Sequence, residues 1–85
     1  MNVEDRIRRI ERERGKKVIL RGVRMPDPRF RGRIVERPRC IVLEYRDDEP
    51  GYFWHYEIIE ELLDALQRGI KNVTLFEGDY QFMEL

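Results

Sequence analysis

The sequence predicts a small α+β domain: a mostly antiparallel sheet of four to five strands, an N-terminal helix, and a second helix packed on the sheet. The order of elements reads α-β-β-β-α-β-β. Three observations carry this. From His55 onward, Ile58, Ile59, Leu62, Leu63 and Leu66 recur at spacings of three and four, which gathers them on one side of a helix. Short apolar runs bounded by Gly, Pro or Asp lie on both sides of that segment and read as strands. A charged, thinly apolar helical pattern opens the chain. The alternative arrangement of the same elements is a small, partly open β-barrel with the second helix filling one end. With 85 residues, the chain has the length of one domain, residues 1–85, with a modest core.

The first helix is expected over residues 3–14. Val3, Ile7 and Ile10 form its stripe, Asn2 can cap it, Glu4 and Asp5 suit its first turn, and Gly15 allows it to stop. Three apolar side chains hold a helix weakly, so this stripe is also a candidate contact for a second copy. Residues 16–25 read as a strand, with Val18, Leu20 and Gly22 facing one way and Ile19, Arg21 and Val23 the other. Pro26 and Pro28 restrict the connection that follows, and a short second strand is expected over residues 32–36. Cys40 to Arg46 is the clearest strand of the first half, with Ile41, Leu43 and Tyr45 on its core side. Asp47 to Gly51 forms an acidic loop before the main helix, which Gly69 ends.

Beyond that helix, residues 72–77 and 80–85 flank Gly78-Asp79, a pair suited to a type II′ hairpin. This pairing sets Glu77 against Tyr80, Leu75 against Phe82 and Val73 against Glu84. Phe76, Met83 and Leu85 then share the second face. A sheet apolar on both sides calls for helices on both sides or for a subunit interface.

Formal net charge is zero, but the charges are divided. Residues 1–46 carry fifteen Arg or Lys against seven acids, and residues 47–85 carry two against ten. The excess of arginine in the first half suits planar contacts to phosphate or carboxylate, and growth conditions or genome composition can also enrich it. Arg21, Arg29, Arg31, Arg33, Arg37 and Arg39, with Phe30 as a stacking ring, are the candidate surface for nucleic acid or an acidic partner. Equally, the acidic half can neutralise the basic half, within one fold or between copies.

Catalytic chemistry finds little purchase. The chain has no serine, and its one threonine, Thr74, lies in a predicted strand. Single His55 and Cys40 do not make a metal signature, and a Cys–His pair needs a proximity that spacing does not supply. The glycines match no phosphate-cradling loop. Tyr52, Phe53, Trp54 and Tyr56 read first as packing between helix and sheet. No cofactor is expected, no segment reads as a signal peptide or membrane span, and one cysteine fits the cytosol.

The functional expectation is a non-enzymatic, regulatory or accessory binding protein that uses its Arg-rich surface. It is expected to be a homo-oligomer, a dimer first, through Val3, Ile7, Ile10, Phe76, Met83 and Leu85. The alternative is a self-associating structural or protein–protein module without nucleic-acid contact; a small enzyme ranks third.

Overall fold

Two helices and five strands follow one another in the expected order: α1 (Val3–Arg14), β1 (Lys17–Val23), β2 (Phe30–Glu36), β3 (Cys40–Arg46), α2 (His55–Gln67), β4 (Val73–Phe76) and β5 (Asp79–Glu84). The structure, a computed structural model, describes residues 2–47, 55–76 and 79–84, with His55 and residues 79–84 described through their backbone alone. The acidic loop beyond Asp47 and the aromatics Tyr52, Phe53 and Trp54 lie outside the described residues, as does Leu85.

Local chemistry sets the helix ends. Asn2 Oδ1 accepts the Asp5 amide at 2.8 Å, satisfying a donor that the first turn of α1 leaves open. Gly15 takes the left-handed conformation (φ 65°) and donates its N–H to Glu11 O. α2 closes with a paired C-terminal motif: Gly69 donates to Leu66 O and Ile70 to Ala65 O, both at 3.0 Å. Gly69 supplies the positive φ of 79° that this closure requires.

The strands form one sheet in the order β1-β3-β2-β4-β5. Three of the four pairings are antiparallel, as expected, but β1 and β3 run parallel, with Val18 opposite Ile41 and Leu20 opposite Leu43. β3 enters between β1 and β2, so these two consecutive strands are not neighbours. β1 and β5 end the sheet without meeting, which removes the barrel alternative. β3 and β4 both run antiparallel to β2, so they are parallel to each other and α2 is the crossover that joins them.

Because β3 is inserted, the 24–29 connection must pass over its end. The Asp47 amide bonds Val23 O at 3.0 Å, and Arg46 Nη1 reaches Pro28 O and Phe30 O. A Cβ on Gly22 would lie 2.6 Å from Asp47 Oδ2, so the glycine makes room for this closure.

Both helices lie on one face. Ile58, Ile59, Leu62, Leu63 and Leu66 of α2 pack with Ile34, Ile41, Leu43, Val73 and Leu75 of the sheet, and Ile10 of α1 and Val18 of β1 extend the same core. Each large aliphatic side chain taken fully out of water contributes about 1.5–3 kcal/mol. Of the two expected ways to cover a sheet apolar on both sides, helices on both faces or a subunit interface, the first is therefore not the one found. The opposite face carries Ile19, Val35 and Val42 in one row across β1, β2 and β3, beside the row Arg21, Glu44 and Arg33.

β2 is longer than expected, beginning at Phe30. Phe30 pairs with Phe76, yet Gly32 pairs with Leu75, so one extra residue bulges from β2. The bulge puts Gly32 on the helix side, where an added Cβ would lie 2.7 Å from Ile58 Cγ2 and 2.8 Å from Glu44 O. The β4–β5 pair keeps Val73 opposite Glu84 as expected, but a second irregularity brings Phe76 opposite Asp79. Asp79, expected in the turn, is thus a strand residue, and the expected Glu77 and Gly78 positions lie outside the described residues.

Gly32 is the point of closest approach between α2 and the sheet. Gly32→Ala is expected to overpack it and lower unfolding free energy by about 1–3 kcal/mol. The midpoint of urea denaturation measures the loss.

Candidate polyanion-binding end

The inserted strand has an electrostatic consequence. β1 and β3 begin, β2 ends and β4 begins at the same end of the sheet. Three segments far apart in sequence therefore meet there: residues 14–17, 36–40 and 71–73. They carry Arg14, Lys16, Lys17, Arg37, Arg39 and Lys71, six cations, against one acid, Glu36; β5 also ends here, with Glu84 opposite Val73.

Glu36 is the hub of this end. Lys16 Nζ lies 3.0 Å from its Oε1 and Arg14 Nη1 lies 3.7 Å away. Its backbone N–H donates to Asn72 Oδ1 at 3.3 Å, which ties the start of β4 to the end of β2. The hydrogen bond from Lys16, with the positive charges of Lys16, Lys71 and Arg14, holds the Glu36 carboxyl below its ordinary range, although burial opposes the shift. With its side chain only 12% exposed, this carboxylate holds inner cations in place and offers little negative charge to solvent.

The outer cations are differently placed. Lys17, Arg37 and Arg39 are exposed and form no ion pair among the described residues. Arg37 and Arg39 flank Pro38 in the β2–β3 turn, which the Arg37 N–H closes on Cys40 O at 2.8 Å. Lys17 stands opposite Cys40 in the parallel register, so the turn and the start of β1 are adjacent. Arg14 also donates to Leu66 O at 2.8 Å, placing a cation at the negative end of the α2 dipole.

The structure divides the residues that the sequence grouped as one surface. Arg29 lies at the opposite end of β2 from Arg37, about 25 Å away, since the two flank a seven-residue strand. Its guanidinium is 3.5 Å from Asp27 and 6.0 Å from the Phe76 ring centre. Arg31, the bulge residue, turns to the helix side and meets Glu61 of α2 at 3.2 Å. Arg33 turns the other way and pairs with Glu44, which Arg21 also approaches at 4.0 Å. Phe30 is 2% exposed and sits beneath the Arg33 guanidinium, 6.0 Å from it. Its ring is therefore not presented for stacking. Alternation along an ordinary strand would have kept Arg29, Arg31 and Arg33 together; the bulge separates them.

The expected self-association stripe is largely used within the chain. Ile10 is buried in the core, with Val3 and Ile7 packed partly against it. Arg6 fixes α1 to α2, bonding Asp64 at 2.5 Å and Gln67 at 2.7 Å. Phe76 is half-buried, and the Met83 backbone pairs with Thr74. Tyr56, by contrast, is 58% exposed and so does not serve as buried packing between helix and sheet. Among the described residues, no three His, Cys, Asp or Glu side chains converge as metal ligands, and no helix is long and apolar enough to cross a membrane.

Sequence reasoning missed Arg14, Lys16, Lys17, Lys71 and Glu36 as members of one site. No local signal joins them, because their meeting depends on strand order. Compared with known proteins, the chain matches no family model, no curated sequence and no solved structure.

The sign of the Glu36 shift gives a pH signature. A carboxyl whose folded-state pKa is depressed adds stability that is present above its unfolded value, near 4.5, and lost as pH falls through the lower folded value. Glu36→Gln should therefore be less stable than the parent at neutral pH, with the gap closing as the solution is acidified below that value. Thermal melts of both proteins across an acidic series measure the gap.

Proposed function

We propose that this protein is a small, non-enzymatic binding protein of the cytosol that takes the phosphate backbone of a nucleic acid on the cation-rich end of its sheet. The supporting observation is the convergence of Arg14, Lys16, Lys17, Arg37, Arg39 and Lys71 at one end of the sheet, with the Glu36 carboxylate among them mostly covered. Neighbouring strands lie about 4.8 Å apart, so cations at four adjacent strand ends spread over about 14 Å. A row of that width suits successive phosphates better than one isolated carboxylate. Phosphate contacts of this type position a protein without reading sequence, so affinity is expected to depend on salt and little on base order.

The 29–33 region takes a smaller part in this reading. Arg29, Arg31 and Arg33 each face a carboxylate of the same chain, Asp27, Glu61 and Glu44 respectively. Arg37 and Arg39 face none among the described residues and are the principal phosphate contacts.

The test is binding of labelled single- and double-stranded DNA and RNA across a salt series, with parent, R37E/R39E and R29E variants. R37E/R39E is expected to bind far more weakly. Its slope of log affinity against log salt should fall by about 0.9 for each duplex phosphate it no longer neutralises, or about 0.7 for single strands. R29E is expected to stay near the parent. Equal binding by parent and R37E/R39E would exclude this end as the contact surface. Retention of acidic polypeptides but of no nucleic acid would redirect the reading to an acidic protein partner.

A further inference from the structure

β1 ends the sheet, and its outer edge is open. Val23 O accepts the Asp47 amide, so at this position the peptide groups of β1 turn toward β3. The Val18 N–H instead donates to Glu11 Oε2 of α1 at 3.0 Å, pointing the other way. Strand alternation then turns the amide and carbonyl groups of Leu20 and Gly22 outward as well. α1 guards the first outward donor through Glu11 and leaves the later ones uncovered.

Chemistry along this edge favours another strand. Residues 19–22 are all exposed, and Ile19 at 41% and Leu20 at 40% are two of the three large apolar side chains exposed among the described residues. β1 pairs with β3 over seven residues without a bulge, and it contains no proline. The usual devices that keep an edge from pairing are thus sparse, with Lys17 and Arg21 as its charges.

Those two charges select a register for self-pairing. An antiparallel pair centred on Ile19 would set Lys17 directly against Arg21 of the second copy, twice. Centring on Arg21 would oppose two arginines. Centring on Leu20 sets Arg21 against Ile19 and Lys17 against Val23, with no like charges face to face. It also places Val18 opposite Gly22 and Leu20 opposite its own symmetry mate, so all three outward-facing residues stand in hydrogen-bonding register, with the Val18 N–H held by Glu11.

We propose that two copies of this chain join through the β1 edge, antiparallel and centred on Leu20, into one continuous sheet. The contact is isologous and closes as a two-fold dimer. It uses none of the six cations of the proposed phosphate surface except the Lys17 strand position, and it stands whether or not nucleic acid binds.

Light scattering over a concentration series reaching the millimolar range gives the first reading, with Leu20→Lys as the disrupting variant and circular dichroism to confirm its fold. The dimer is expected for the parent, and L20K is expected to weaken it by about tenfold or more. A second measurement does not need that variant to fold. In a Cys40→Ala background, Leu20→Cys is expected to cross-link to itself on mild oxidation, because a hydrogen-bonded pair sets the two Cα atoms about 5.5 Å apart. Arg21→Cys is expected not to cross-link, being offset from its mate by two residues. A parent that is monomeric throughout, a dimer indifferent to L20K, or cross-linking at position 21 in place of 20 would each overturn the proposal. A dimer that dissolves in salt yet ignores L20K is driven by charge and counts against it.

Discussion

The placement of β3 between β1 and β2 is the constraint on which the remaining geometry depends. It sends the 24–29 connection across one end of the sheet, where Asp47 and Arg46 fasten it. It brings the β2–β3 turn and the starts of β1 and β4 together at the other end, which concentrates the cations. It also leaves β1 as an edge strand. The proposed phosphate surface and the proposed strand-to-strand contact are consequences of the same insertion, read at different places. On the helix side, α2 can seat against the sheet only because Gly32 has no side chain in its path.

Charge behaves differently in three dimensions from its division along the chain. Some of the imbalance is resolved inside the fold, since Arg6 meets Asp64 and Arg31 meets Glu61 across the two halves. Exposed pairs of this type add modest stability each. Their main effect is to remove arginines from the pool available to a partner. α1 and α2 both run toward the start of a strand at the cation-rich end, α1 into β1 and α2 into β4. Arg12 and Arg14 therefore complement the α1 dipole, and Arg14 also serves α2. Part of the positive concentration is thus what two helix C-termini call for, and the outer residues Lys17, Arg37 and Arg39 are the surplus beyond that structural need.

Where a few neighbouring residues decide the conformation, the sequence was readable. Both ends of α1 follow from Asn2 and Gly15, the end of α2 from Gly69, and all of β3 from its β-branched run. The side chains of α2 that form the core share one periodic face. Strand order was not readable, because apolar strands such as Lys17–Val23 and Cys40–Arg46 carry no local mark of whether they pair parallel or antiparallel. The bulge at Arg31 and Gly32 was equally hidden; it is fixed by α2 pressing from above and by the pairing of β4. The arginines offered as one surface are therefore divided in the fold, with Arg37 and Arg39 at the opposite end of β2 from Arg29. Glu36 and Lys71 stand thirty-five positions apart, and no pattern in the chain foretells that they share one site.

The insertion of β3 also sets the native pairing apart from a simpler one. β1 and β2 run in opposite directions and are joined by only six residues, 24–29, so a direct hairpin between them would close only a short loop. That hairpin is not native. In the finished sheet Glu44 stands between Arg21 and Arg33, opposite each of them. Glu44, 5% exposed and flanked by both arginines, is thus a carboxylate that only the inserted strand brings to them.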